Sequence, residues 1–142
     1  MSNKSKGSRA ERELLQLFTD NTWKAARVAG SGVNENTFCD LIAGKNGKAY
    51  AVEAKSSKSP RIYITKKQIE EFIGFCEVMG ITPVVAARFN REGWIFLNPL
   101  DPDQLEDSGA NWVVNLKNAK VNGKKFGQFF DLNDMNGIND VI

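Results

Sequence analysis

Apolar positions along this chain recur with two different periods, and the switches between them mark out its elements. Leu14, Leu15 and Phe18, with Leu17, form the stripe of a first helix, and Ser8-Arg9-Ala10-Glu11 before it reads as a capping box. Met1 to Gly7 is polar and basic, and is expected to stay loose until it meets a partner. Trp23 to Val28 is a first strand that ends in the loop Ala29-Gly30-Ser31-Gly32. Two strand-forming runs, Thr37 to Ala43 and Lys48 to Ala54, flank Asn46-Gly47. Asn-Gly in that setting predicts a hairpin, because both residues tolerate the positive φ of a type I′ turn.

Ser56 to Pro60 is a polar connection, and Arg61-Ile62-Tyr63-Ile64 a short strand. Thr65 can cap a second helix, with Ile69, Phe72, Ile73, Cys76 and Met79 on one face and Gly80 as its terminator. Pro83 to Phe89 reads as a buried strand, and Trp94 to Leu97 as the last core strand. Past Pro99 the pattern weakens: Asp101 to Gly109 is acidic and loop-like, while Trp112 to Leu116 and Lys125 to Phe130 suggest a hairpin around Asn122-Gly123. The order predicts a single α/β domain over residues 1–142, a central mixed β-sheet of about five strands flanked by helices.

The hairpin carries the chemistry. With Asn46 and Gly47 in the turn, Lys45 pairs with Lys48 and, counting outward, Asp40 lies opposite Glu53. Directly opposed residues share a face with Cβ atoms about 4.5–5.5 Å apart, so two carboxylates would meet. Lys55, two residues on, joins the same face. A solvated ion-pair ladder is the plain alternative, and such pairs contribute little. A ladder belongs on a polar face, however, and this one also holds Ile42 and Ala51, while Leu41, Ala43, Tyr50, Val52 and Ala54 occupy the other. A hairpin apolar on both sides sits inside a covered sheet, where charges need partners. A cation between the carboxylates is one.

Composition removes whole classes of chemistry. The 142 residues contain no histidine, which excludes Ser-His and Cys-His catalysis, histidine-ligated zinc and histidine-based nucleases. Any general base is then a carboxylate, a lysine or a metal-activated water. Cys39 and Cys76 are too few and too far apart for a disulfide framework or a zinc site, and suit a reducing cytosol. No apolar run approaches a membrane span. The net charge of +2 is unevenly spread. Residues 1–70 hold 13 Lys/Arg against 7 Asp/Glu, and residues 71–142 hold 6 against 10, so the first half is the one to meet a polyanion.

Glu11 shares a helical face with Leu14, Leu15 and Phe18 and extends that stripe toward one end of the sheet. It is a third carboxylate for a metal or, alternatively, the capping residue that reaches back to Ser8.

Taken in order, Lys6-Gly7-Ser8, Glu11-Arg12-Glu13-Leu14, Arg27, Gly30-Ser31-Gly32, Asp40-Leu41-Ile42-Ala43-Gly44, Glu53-Ala54-Lys55 and Ile62-Tyr63-Ile64 resemble the archaeal Holliday junction resolvases of the Hjc type. These belong to the restriction-endonuclease-like superfamily with its PD-(D/E)xK motif. The likeness runs from Lys6 to about Trp94, with Cys39 in place of the motif's proline. It implies that Glu11, Asp40 and Glu53 ligate Mg²⁺, for which Mn²⁺ can substitute, with the carbonyl of Ala54 near the ion. It implies that Lys55 orients or activates the attacking water or stabilises the transition state, and that Ser31 acts in catalysis and DNA contact. Arg12 and Arg27 would lie near the scissile phosphate, with Lys6 and Arg9 on the DNA.

The expected partners are branched DNA and a second copy of the chain in a C₂ homodimer, which matches paired incisions in a four-way junction. No membrane and no organic cofactor are expected, and the location is cytoplasmic, with chromosomal DNA. Two alternatives remain at this level: a duplex-cutting nuclease of the same superfamily, and a non-catalytic DNA-binding module.

Overall fold

Residues 3–28 and 38–131 are described by the computed structural model. Among them α1 (Asn3–Asp20) and β1 (Lys24–Arg27) lead to the hairpin of β2 (Leu41–Lys45) and β3 (Lys48–Ser57). β4 (Arg61–Thr65) and α2 (Lys66–Met79) then cross over to β5 (Thr82–Phe89), which turns back into β6 (Gly93–Leu97). β7 (Glu106–Ser108), β8 (Asn111–Asn115), α3 (Leu116–Asn122) and a π-helical turn at Gly127–Asp131 complete the described chain.

Five strands form the central sheet in the order β1-β2-β3-β5-β6. Only the β3–β5 pair is parallel, so the sheet is mixed. A parallel neighbour cannot be reached by a tight turn, and here β4 and α2 make the crossover. The hairpin turns as its residues dictate: Asn46 and Gly47 take φ of 51° and 81°, and Lys45 pairs with Lys48. Helix α2 starts at Thr65, whose side chain accepts the Gln68 N–H, and stops at Gly80 in the left-handed region with φ of 72°.

Alternation along the strands feeds two cores. Leu41, Ala43, Tyr50, Val52, Val84 and Ala86 meet Leu14 and Phe18 of α1 on one face. Ala51, Val85, Ala87 and Ile95 meet Ile69, Phe72 and Cys76 of α2 on the other, together with β4 and β8. Helix α1 is also tied across the sheet by Glu13, whose Oε1 accepts from Arg88 Nε at 3.0 Å and Trp94 Nε1 at 3.1 Å.

Three expectations need correction. Helix α1 begins at Asn3, so the Asn3–Gly7 stretch expected to be loose is helical and Ser8 is not a cap. No proline breaks that stretch, and Gly7 costs only about 1 kcal/mol relative to alanine. Second, the tail is no hairpin around Asn122-Gly123. Gly123 has φ of −82° and closes α3 instead, while β8 pairs with β4 and β7 in a separate three-stranded sheet. Third, the stretch from Asp101 to Gly109 contains β7. The tail is part of the core: Phe126 and Phe130 are buried, and Phe130 lies edge-on to Phe18, Trp23, Tyr50 and Phe96.

Candidate active site

The site forms where β3 outruns its antiparallel neighbour. The β2–β3 ladder ends at Leu41↔Val52, while β3 continues beside β5 from Glu53↔Val85 to Ser57↔Phe89. Asp40 does not extend the ladder as a simple opposite of Glu53. Its N–H also goes to Val52 O at 2.9 Å, a slip of one residue of the kind a β-bulge makes. Past this point the Ala54 N–H has no backbone partner on the β2 side, and a buried N–H must find one. Asp40 Oδ2 accepts it at 2.7 Å. The carboxylate is thereby aimed along β3, toward Glu53.

Among the described residues Glu53 is the one charged residue that is buried, at 5% exposure. Its Oε1 lies 3.8 Å from Lys55 Nζ and accepts from Gln68 Nε2 of α2 at 2.8 Å. Burial and then the neighbouring Asp40 push the Glu53 carboxyl well above the ordinary range. Asp40 is raised too, because burial outweighs the help of the Ala54 N–H and Lys55. Of the two, Asp40 has the better support for its charge, so a proton shared between them rests on Glu53.

Glu11 approaches from the opposite face, since α1 packs against the Leu41–Val52 side of the sheet. Its Oε1 is 3.4 Å from Arg27 Nη2. Freed from any capping role, it sits within electrostatic reach of Asp40 and Lys55, and burial followed by Asp40 raises its carboxyl despite Arg27. Among the described residues no three metal-binding side chains gather closely enough to enclose an ion. Two carboxylates in contact still fit Mg²⁺, which favours hard oxygens and retains several waters for substrate phosphate to replace. The under-compensated negative charge of half-buried Asp40 and buried Glu53 suits such a cation.

The structure thus gathers Asp40, Glu53 and Lys55, with Ala54 holding Asp40 and with Glu11 and Arg27 at the margin. Arg9 and Arg12 are exposed on α1. Ser31 lies outside the described residues, as does the side chain of Lys6. Sequence reasoning missed Gln68. The available signal was its place three residues after the Thr65 cap, in the first turn of the helix laid over the Glu53 face. A cavity of about 690 Å³ beside Gly47, Lys48, Tyr50 and Thr82 lies at the other end of β3 and is separate from this cluster.

Two carboxylates and a lysine gathered where the central strand of a mixed sheet outruns its antiparallel neighbour form the arrangement expected of a nuclease of the PD-(D/E)xK class. The chain belongs to the archaeal Holliday junction resolvase (Hjc) family, whose profile matches residues 2–137, tail included. It is 40% identical over 111 residues to the crossover junction endodeoxyribonuclease Hjc of Methanocaldococcus jannaschii, covering 78% of this chain and 76% of that one. The Hjc of Archaeoglobus fulgidus is 35% identical over 135 residues, covering 89% and 96%. A solved structure of Archaeoglobus fulgidus Hjc, described as a Holliday junction resolvase, superposes with a TM-score of 0.74 at 27% identity, covering 87% of this chain and 93% of that one.

Proposed function

We propose that this chain is a structure-selective endonuclease that resolves four-way DNA junctions by paired, Mg²⁺-dependent hydrolysis of phosphodiester bonds. The observation that carries the reading is the contact of half-buried Asp40 with buried Glu53 beside Lys55, in a member of a junction-resolvase family. Asp40 and Glu53 would hold the cation, with Glu11 completing the site directly or through water. When bound, the ion supplies charge to the phosphate and acidity to a water. The protein's own part is positional. Asp40 is held by the Ala54 N–H and Glu53 by Gln68, and the Lys55 side chain would lie near the negative charge that develops on the phosphate.

Arg27 offsets Glu11, and with Arg12 and Arg9 it would give the polyanion a basic approach to the site. Selection would then rest on phosphate positions and on the flexibility of branched DNA. A C₂ homodimer would set two such sites on the two strands to be cut. Ser31 would act beside the scissile phosphate. Action on chromosomal DNA would put the protein in the cytoplasm. No helix among the described residues is long and apolar enough to cross a membrane.

The test is cleavage of labelled four-way junction and linear duplex, each with and without Mg²⁺. Paired nicks in the junction alone, and only with the metal, are expected. Equal cutting of duplex would replace the junction reading by a duplex nuclease, and binding without cutting would leave a DNA-binding module.

A further inference from the structure

Glutamine at the third position of a helix capped by threonine ordinarily swings back to the cap's own N–H. Gln68 holds that position, and its backbone N–H does donate to Thr65 Oγ1 at 3.0 Å. Its side chain goes elsewhere, donating from Nε2 to Glu53 Oε1 at 2.8 Å. The start of α2 is itself fixed, because Thr65 is the last residue of β4 and pairs with Asn111 of β8. The amide therefore comes from a rigid support on the crossover, independent of the hairpin that carries the carboxylates.

Two donors converge on the same oxygen, and they differ in kind. Lys55 Nζ at 3.8 Å is a loose ion-pair contact from a side chain about one-third exposed. Gln68 is close, directional and neutral. A neutral donor orients a carboxylate without cancelling its charge, which is what a ligand for a cation needs. It also makes the lysine unnecessary for holding Glu53.

We propose that Gln68 is a positioning residue for the nuclease reaction: by holding Glu53 Oε1 it turns the other carboxylate oxygen to the cation and leaves Lys55 to the substrate. This rests on the reading that Asp40 and Glu53 bind a divalent cation. Loss of a partner of this kind costs about 10–100-fold in metal affinity or activity.

The test uses the full chain with Gln68→Met, which keeps length and volume and removes the donor, and Gln68→Ala beside it. Mn²⁺ affinity is read without DNA from the free-ion electron paramagnetic resonance signal. Single-turnover junction cleavage is followed over a Mg²⁺ titration, and junction binding is measured in EDTA. Both variants should bind Mn²⁺ about tenfold or more weakly and need correspondingly more Mg²⁺ for half-maximal rate. Saturating metal should restore most of that rate, and junction affinity should stay within about twofold. Unchanged Mn²⁺ affinity and Mg²⁺ midpoint overturn the proposal, as does a rate loss at saturating metal with affinity intact. Asp40→Asn separates the two levels. If it abolishes Mn²⁺ binding while Gln68→Met binds normally, the metal site stands and the role of Gln68 falls. If Asp40→Asn binds Mn²⁺ like the wild type, both fall.

Discussion

Asp40 and Glu53 are held together by the fold at the expense of their mutual repulsion, and this gives the protein a pH dependence of definite sign. Glu53 binds its proton more tightly folded than unfolded, so the associated stability is fully present below the ordinary carboxyl range. It is lost as pH rises through the window between that range and the raised folded value. Without divalent metal, the melting temperature should therefore fall as pH is raised from about 5 toward 8, and Mg²⁺ should restore more of it at the upper end. Asp40→Asn should flatten this slope, raise the melting temperature in EDTA near neutral pH and remove the Mg²⁺ response. Each tenfold change in proton affinity corresponds to about 1.4 kcal/mol. The asparagine oxygen can still accept the Ala54 N–H, so packing is kept, whereas cleavage should vanish and junction binding stay intact or tighten. A variant that still cut normally in Mg²⁺ would eliminate the site.

At the scale of elements, the tail's hold on the central sheet runs through one close approach. Gly123 closes α3 against β6, and a Cβ placed on it would lie 2.5 Å from Ile95 Cγ2 and 2.6 Å from the Ala119 carbonyl oxygen. Its φ is negative, so the requirement is space and not backbone conformation. Gly123→Ala should destabilise the protein by about 1–3 kcal/mol, as overpacking does. Denaturant melts would show it as a lower midpoint for the whole domain. An unchanged midpoint would mean that α3 and the buried Phe126 and Phe130 unfold separately from the sheet.

For the whole molecule, charge and shape set what can be bound. The basic half of the chain carries the proposed site, so junction affinity should fall steeply with salt as phosphates release counterions. It should change little when the arm sequences are altered. At moderate salt a large excess of linear duplex should fail to displace a four-way junction, and equal competition, length for length, would defeat junction selectivity. Ile69, Phe72 and Phe96 are buried, while Phe75 stacks on Phe38, and Val78 and Met79 stay 89% and 54% exposed.

How much of this was legible in the sequence follows from the range of the forces involved. The turn at Asn46-Gly47, the Thr65 and Gly80 caps and the two-sided burial of the hairpin are dictated by neighbours a few residues apart, and they emerged as the local pattern implied. Glu53 and Lys55 share a face for the same reason, while Asp40 joins them through its slip onto Val52. The absence of histidine narrowed the chemistry before any fold was known. What lay beyond the sequence depends on which segments meet. Trp112 to Val114 is an aromatic and β-branched run of the kind strands use, yet no local rule pairs it with β4. Asn122-Gly123 spells a hairpin turn but ends a helix, because β6 leaves room there only for a glycine without a Cβ. Tertiary packing alone ran β3 past β2, left the Ala54 N–H for Asp40 to take, and brought the Gln68 amide onto Glu53 from 15 residues further along the chain.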